Sequence, residues 1–144
     1  MELEINNFGA VLQYGMYLEQ ESARFYAEAA QKAQDGRLRG MLADLAEEAQ
    51  RRQKTLERIR RENVTEMILT PIHDFHSRNY RPDFEVGSGD KELRDAAVQV
   101  ERVKERYYSD ARRRIELAEA GRALGRLARG SQEAVESLAA LGLG

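Results

Sequence analysis

Apolar residues recur at helical spacing in four separate stretches of the chain. The first stripe reads Phe8, Val11, Leu12, Leu18, Phe25, Ala29 and Ala33; the second reads Leu38, Leu42, Leu45, Ala49, Leu56 and Ile59. Asp35-Gly36 separates them and offers an N-cap for the second helix. So short a link between two helices of this length forces an antiparallel hairpin. A third stripe of Leu93, Ala97, Val100, Tyr107, Ala111 and Ile115 follows Asp90, a candidate cap. After a break at Ala120-Gly121 the fourth carries Leu124, Leu127, Val135, Leu138 and Leu141. The expected helices span 3–33, 36–62, 90–119 and 122–142. Gly125 and Gly130 lie inside the last one, each costing about 1 kcal/mol relative to alanine. That helix is expected to be the weakest.

From 63 to 89 the periodicity is lost. This stretch holds both prolines, Gly87-Ser-Gly89 and short aromatic pieces, Asp74-Phe75 and Asn79-Tyr80. Thr65 to Leu69 suits a short helical turn, stopped by Thr70-Pro71. The segment reads as a long crossover running along a bundle. Hairpins over 3–62 and 90–142, joined in this way, predict one all-α domain, a left-handed four-helix bundle.

The two hairpins align without a gap at an offset of 82 residues. Glu19 falls on Glu101, Arg24 on Arg106, Tyr26 on Tyr108 and Ala29 on Ala111. In the second helix of each pair, Leu42 falls on Leu124, Leu45 on Leu127, Ala46 on Ala128, Gln50 on Gln132 and Leu56 on Leu138. Sliding two amphipathic hairpins into register would match the leucines alone. The matched glutamates and tyrosines favour duplication.

Composition removes several function classes. The 144 residues carry a net charge of −2, which selects no polyanionic partner. The absence of cysteine excludes disulfides, thiolate metal sites and a rubredoxin-type iron centre on this chain. The acidic start lacks a signal pattern, and no apolar run approaches the roughly 18 residues of a membrane span. A cytoplasmic protein with no membrane partner is expected.

In each repeat a glutamate and a tyrosine stand two helical turns apart, on one face beside the apolar stripe. These are Glu19 with Tyr26 and Glu101 with Tyr108. An inward carboxylate there needs a metal, a proton or a cation to compensate it. The stretch Tyr14-Gly-Met-Tyr-Leu-Glu-Gln-Glu-Ser-Ala-Arg-Phe-Tyr26 resembles the first helix of the rubrerythrin branch of the ferritin-like superfamily. Leu45-Ala-Glu-Glu-Ala-Gln-Arg-Arg52 and Val100-Glu-Arg-Val-Lys-Glu-Arg-Tyr-Tyr108 resemble its second and third helices. The resemblance covers nearly the whole chain outside the crossover. It implies a ferritin-like bundle, a homodimer, and two irons held by one Glu from each of two helices and a Glu-x-x-His from each of the others. It also implies peroxide-reducing or iron-oxidising chemistry.

Carried over by position, the single glutamates survive as Glu19 and Glu101. The Glu-x-x-His places hold Ala49 and Arg52 in the second helix, Ser131 and Ala134 in the fourth. Glu48 with Arg51 still supplies no imidazole, and Glu48 sits about 100° around the helix from Ala49. Two carboxylates make a poor site for two redox-active irons, so no cofactor is expected, iron being the alternative. Arg52, and Lys104 one turn from Glu101, are candidates to replace the metal charge, with Tyr26 and Tyr108 nearby. Alternatively both cations snorkel outward while the glutamates are hydrated or protonated. Arg52 is expected to reach Glu19 or Glu101 by a direct or water-mediated hydrogen bond.

The leading expectation is therefore a non-catalytic structural, binding or assembly module, with a di-iron oxidoreductase as the alternative. His73 and His76 with Asp74 would share a face only if that piece were helical, and read as surface loop residues. The basic run Arg51, Arg52, Lys54, Arg58, Arg60 and Arg61 leaves a second alternative, an anionic-ligand or nucleic-acid binder. It has no interleaved aromatic platform. Tyr14 or Tyr17 is expected at a dimer interface.

Overall fold

A computed structural model describes residues 4–63 and 71–143 of the chain. Its α-helices are α1 (Phe8–Lys32), α2 (Gly36–Glu62), α3 (Asp90–Arg114) and α4 (Ala118–Ala139), with a short 3-10 turn at Ser77–Tyr80. Among the described residues there is no strand, only an antiparallel bridge between Glu4 and His76. No described helix is long and apolar enough to cross a membrane. The helical turn expected at Thr65 to Leu69 lies outside the described residues.

The helix ends depart from the expected ones for local reasons. α1 begins at Phe8, not at residue 3, because Asn7 caps it, its side-chain oxygen accepting from the Ala10 amide at 2.8 Å. The preceding residues pair with the crossover instead: the Ile5 amide donates to Phe75 O at 2.8 Å and the Ile72 amide to Asn6 O at 2.9 Å. α3 stops at Arg114, and Ala120-Gly121 lies inside the first turn of α4 rather than breaking the chain. Ile115 and Leu117 both pack against the core. Two residues apart on a continuous helix they would point about 200° away from each other, so the chain breaks there.

Asp90 does not cap α3. It is that helix's first residue, after the N-cap Gly89. Its carboxylate accepts from the Gln34 and Asp35 amides, each at 2.9 Å, satisfying donors at the α1–α2 link. This contact sets the beginning of α3 beside the beginning of α2. Between Ile72, which meets Asn6, and Asp90 the chain therefore returns along the bundle, about 40 Å for an α2 of 27 residues.

α1 packs on α2 and α3 on α4, while α1 faces α3 and α2 faces α4. Tyr107 on α3 donates to Val11 O on α1 at 2.6 Å, and Tyr26 on α1 reaches Ala97 O on α3 at 3.4 Å, so these two helices run antiparallel. Two apolar clusters fill the interior. One gathers Phe8, Leu12, Tyr14, Leu56, Tyr107 and Leu124 with Ile72, Phe75 and Tyr80 of the crossover. The other gathers Phe25, Tyr26, Leu38, Leu42, Leu93 and Leu138. Tyr14 belongs to the first and is fully buried, its hydroxyl donating to Tyr80 O at 2.6 Å. It is a core residue and offers nothing to a partner. Tyr17 is half-buried against it.

Candidate functional site: a buried charged layer

Between the two apolar clusters lies a layer of buried polar side chains: Glu19 and Ser22 from α1, Arg52 from α2, Glu101 and Lys104 from α3, Ser131 from α4. The glutamates and tyrosines pair crosswise between α1 and α3. Tyr26 donates to Glu101 Oε2 at 2.5 Å, and Tyr108 donates to Glu19 Oε2 at 2.5 Å. The two-turn spacing read in each repeat thus yields two equivalent bonds, each reaching from one repeat into the other.

The cations break that symmetry. Lys104 Nζ stands between the two carboxylates, 2.9 Å from Glu19 Oε1 and 3.0 Å from Glu101 Oε2. It is only 2% exposed, so it does not snorkel. Arg52, 6% exposed, is also turned inward. Its Nη1 lies 3.7 Å from Glu19 Oε2 and 3.9 Å from Glu101 Oε1. These are ion-pair distances, longer than a direct hydrogen bond, one of the two forms of contact expected. The bond goes to Ser131 Oγ instead, at 2.9 Å. Arg52 Nε lies 3.5 Å from Glu48 Oε1, at the layer's outer edge.

Two carboxylates and two cations leave the layer neutral, which is what makes its burial tolerable. Burial alone would raise the Glu101 carboxyl pKa, but Lys104 and Arg52, with bonds from Tyr26 and Lys104, hold it below the ordinary carboxylate value. Burial works against the Arg52 guanidinium, yet Glu19 and Glu101 outweigh it and keep the proton on. Tyr26 and Tyr108 are pushed well above the ordinary phenol value, first by burial and then by the carboxylate each one touches.

The four places where the resemblance requires Glu-x-x-His carry Ala49, Arg52, Ser131 and Ala134. Ala49, Arg52 and Ser131 are buried, and Ala134 is half-buried. The donor set does not fit two irons: two carboxylates remain, both already bonded to Lys104 and to a tyrosine, with no imidazole in the layer. Among the described residues no three of His, Cys, Asp and Glu are grouped so as to hold a metal. His73 and His76 lie in non-helical chain, with Asp74 at φ 55, so their spacing does not bring them to one face. His76 instead sits 3.8 Å from Glu4.

Two contributors were not identified from sequence. Ser131 supplies the hydroxyl that anchors Arg52, and Gly130 supplies the room: a Cβ there would stand 2.5 Å from Arg52 Nη2. The offset of 82 holds the clue, since Gly130-Ser131 falls on Glu48-Ala49 and Lys104 falls on Ser22. A test follows from the geometry. In the exposed stretch of α2, Gly40 has nothing within 4 Å of an added Cβ, and Gly40→Ala is expected to stabilise by about 0.5–1 kcal/mol. Gly130→Ala is expected to lower stability despite the same helical gain, because the displaced guanidinium has to leave two buried carboxylates. Chemical denaturation of both variants checks the opposite signs.

No protein-family model matches the chain, and no curated protein matches it. Among solved structures, a hypothetical protein from Pyrococcus furiosus is similar over 90% of this chain and 84% of its own, with a TM-score of 0.67 and 17% identity. At that identity the likeness concerns the fold alone.

Proposed function

We propose that this chain is a ferritin-like bundle of the rubrerythrin branch in which side-chain cations hold the place of the metal centre. It then serves as a non-catalytic structural, binding or assembly module. The observation that carries the reading is the position of Lys104 Nζ, within 3.0 Å of both surviving glutamates. A cation bridging two carboxylates from facing helices occupies the electrostatic role a bridging metal would have. The α1–α2 and α3–α4 pairing, and the return of the chain to Asp90, support the two-hairpin arrangement. The resemblance adds a cytoplasmic homodimer to the proposal.

An Arg-rich nucleic-acid face on α2 is not favoured. Arg52 is withdrawn into the core, while Arg51 and Arg60 are paired with Glu48 and Glu57.

The test is metal content. Protein purified from iron-supplemented medium is expected to hold far less than one iron per chain, and to show no change in melting temperature with added ferrous ion. Two irons per chain at full occupancy would restore the oxidoreductase reading and overturn this one.

A further inference from the structure

The groove between α3 and α4 on the outer face of the bundle is lined by Arg112, Arg113 and Arg129 against one carboxylate, Glu105. Its volume of about 410 Å³ falls within the range of small-molecule sites. Arg113 is paired with Asp110. Among the described residues, the side chains of Arg112 and Arg129 make no hydrogen bond or ion pair, and both are exposed. Arg112 is nevertheless set closely against α4. A Cβ at Gly125 would stand 2.7 Å from its Nη1 and 3.1 Å from its Cζ, so the glycine leaves a recess in which the guanidinium rests. Ser109 and Gln132 complete the lining with neutral donors.

The duplication provides a control inside the molecule. At the offset of 82, Arg112, Arg113 and Arg129 correspond to Ala30, Gln31 and Glu47, and Gly125 to Ala43. At the corresponding positions the α1–α2 hairpin carries neither the positive charge nor the glycine that makes the recess. Neither feature is a requirement of the fold.

We propose that the α3–α4 groove binds a small phosphate-bearing anion between Arg112 and Arg129. Phosphate suits the site better than a lone carboxylate because its oxygens can engage two guanidinium forks at once, with the Ser109 and Gln132 donors in addition. This inference is independent of the reading of the buried layer.

Inorganic pyrophosphate is the probe, titrated into the full chain by calorimetry at fixed salt, with acetate at equal ionic strength as the comparison. Saturable binding of pyrophosphate and none of acetate is expected. Arg112→Gln and Arg129→Gln should each weaken it about tenfold. Arg122→Gln, an exposed arginine on α4 outside the groove, should leave it unchanged. Gly125→Ala keeps every charge but fills the recess, and should weaken binding several-fold without lowering the melting temperature. No saturable binding would overturn the proposal. So would equal losses from Arg122→Gln and Arg112→Gln, or a duplex oligonucleotide that outcompetes pyrophosphate while remaining sensitive to Arg122→Gln, since each of these indicates a diffuse basic surface.

Discussion

Replacing Lys104 with methionine is expected to remove about 3–5 kcal/mol of folding stability. The variant keeps the volume and the stem, and takes away only the charge that bridges Glu19 and Glu101. Two buried carboxylates would then face Arg52 alone, at 3.7 and 3.9 Å. Arg52→Leu should cost less than Lys104→Met, because its contacts to the carboxylates are longer. Arg51→Ala, at an exposed ion pair with Glu48, should be close to neutral. The decisive comparison is Lys104→Met combined with Glu101→Gln. The double variant retains one carboxylate and one cation, Glu19 and Arg52, and keeps an acceptor for Tyr26. It should recover most of the loss, and denaturant unfolding of the four combinations gives the coupling directly. If Lys104→Met alone stays within about 1 kcal/mol of the parent, the glutamates are not held as charged groups by this lysine.

The second large effect concerns alkaline pH. Tyr26, Tyr107 and Tyr108 are fully buried, and burial first, then a neighbouring carboxylate or phenol, pushes each well above the ordinary phenol value near 10. With the folded value raised, the stability these groups contribute is complete below about pH 10. It declines above that, where the unfolded chain releases protons that the folded chain keeps. Each phenol contributes a slope of up to about 1.4 kcal/mol per pH unit, so three remove about 4 kcal/mol near pH 11. Tyr107→Phe should lower the slope by one phenol's share, up to about 1.4 kcal/mol per pH unit, with the buried Tyr14 adding its own share to the total; Tyr107 contacts Val11 O and no carboxylate. Tyrosinate absorbance near pH 10 that is diminished by Tyr26→Phe, Tyr107→Phe or Tyr108→Phe while the helical signal is intact would show these hydroxyls to be accessible and the account wrong.

The four helical stretches among the described residues were legible in the sequence because apolar spacing is a repeated signal. The inward glutamates were legible for a related reason: an acid beside a leucine stripe, twice, at one offset, is hard to obtain by chance. Helix ends were less so. Nothing in the local pattern shows that residues 4–6 pair with Phe75 and Ile72, or that Ile115 and Leu117 both need the core. The composition of the layer was half visible. Arg52 and Lys104 stand out as charges at inward positions, but the partner that Arg52 bonds, Ser131, reads as an ordinary small residue. Gly130 reads as a weakness in α4 until the guanidinium beside it is seen. Both depend on contacts between residues far apart in sequence, which periodicity does not encode.

The fit of Arg52 against Gly130 also bears on how such a chain could have been assembled. Two hairpins that align at one offset invite the idea that a pair of identical half-chains would make the same bundle. The first half lacks two parts of the buried layer. In a pair of α1–α2 hairpins, Glu48 would stand where Gly130 now stands, placing a Cβ and a carboxylate stem in the space the arginine head occupies. Ser22 would likewise replace Lys104, leaving the two central acids without their bridging amine. In the layer the two halves are complementary, one carrying the guanidinium and the other its berth and the amine.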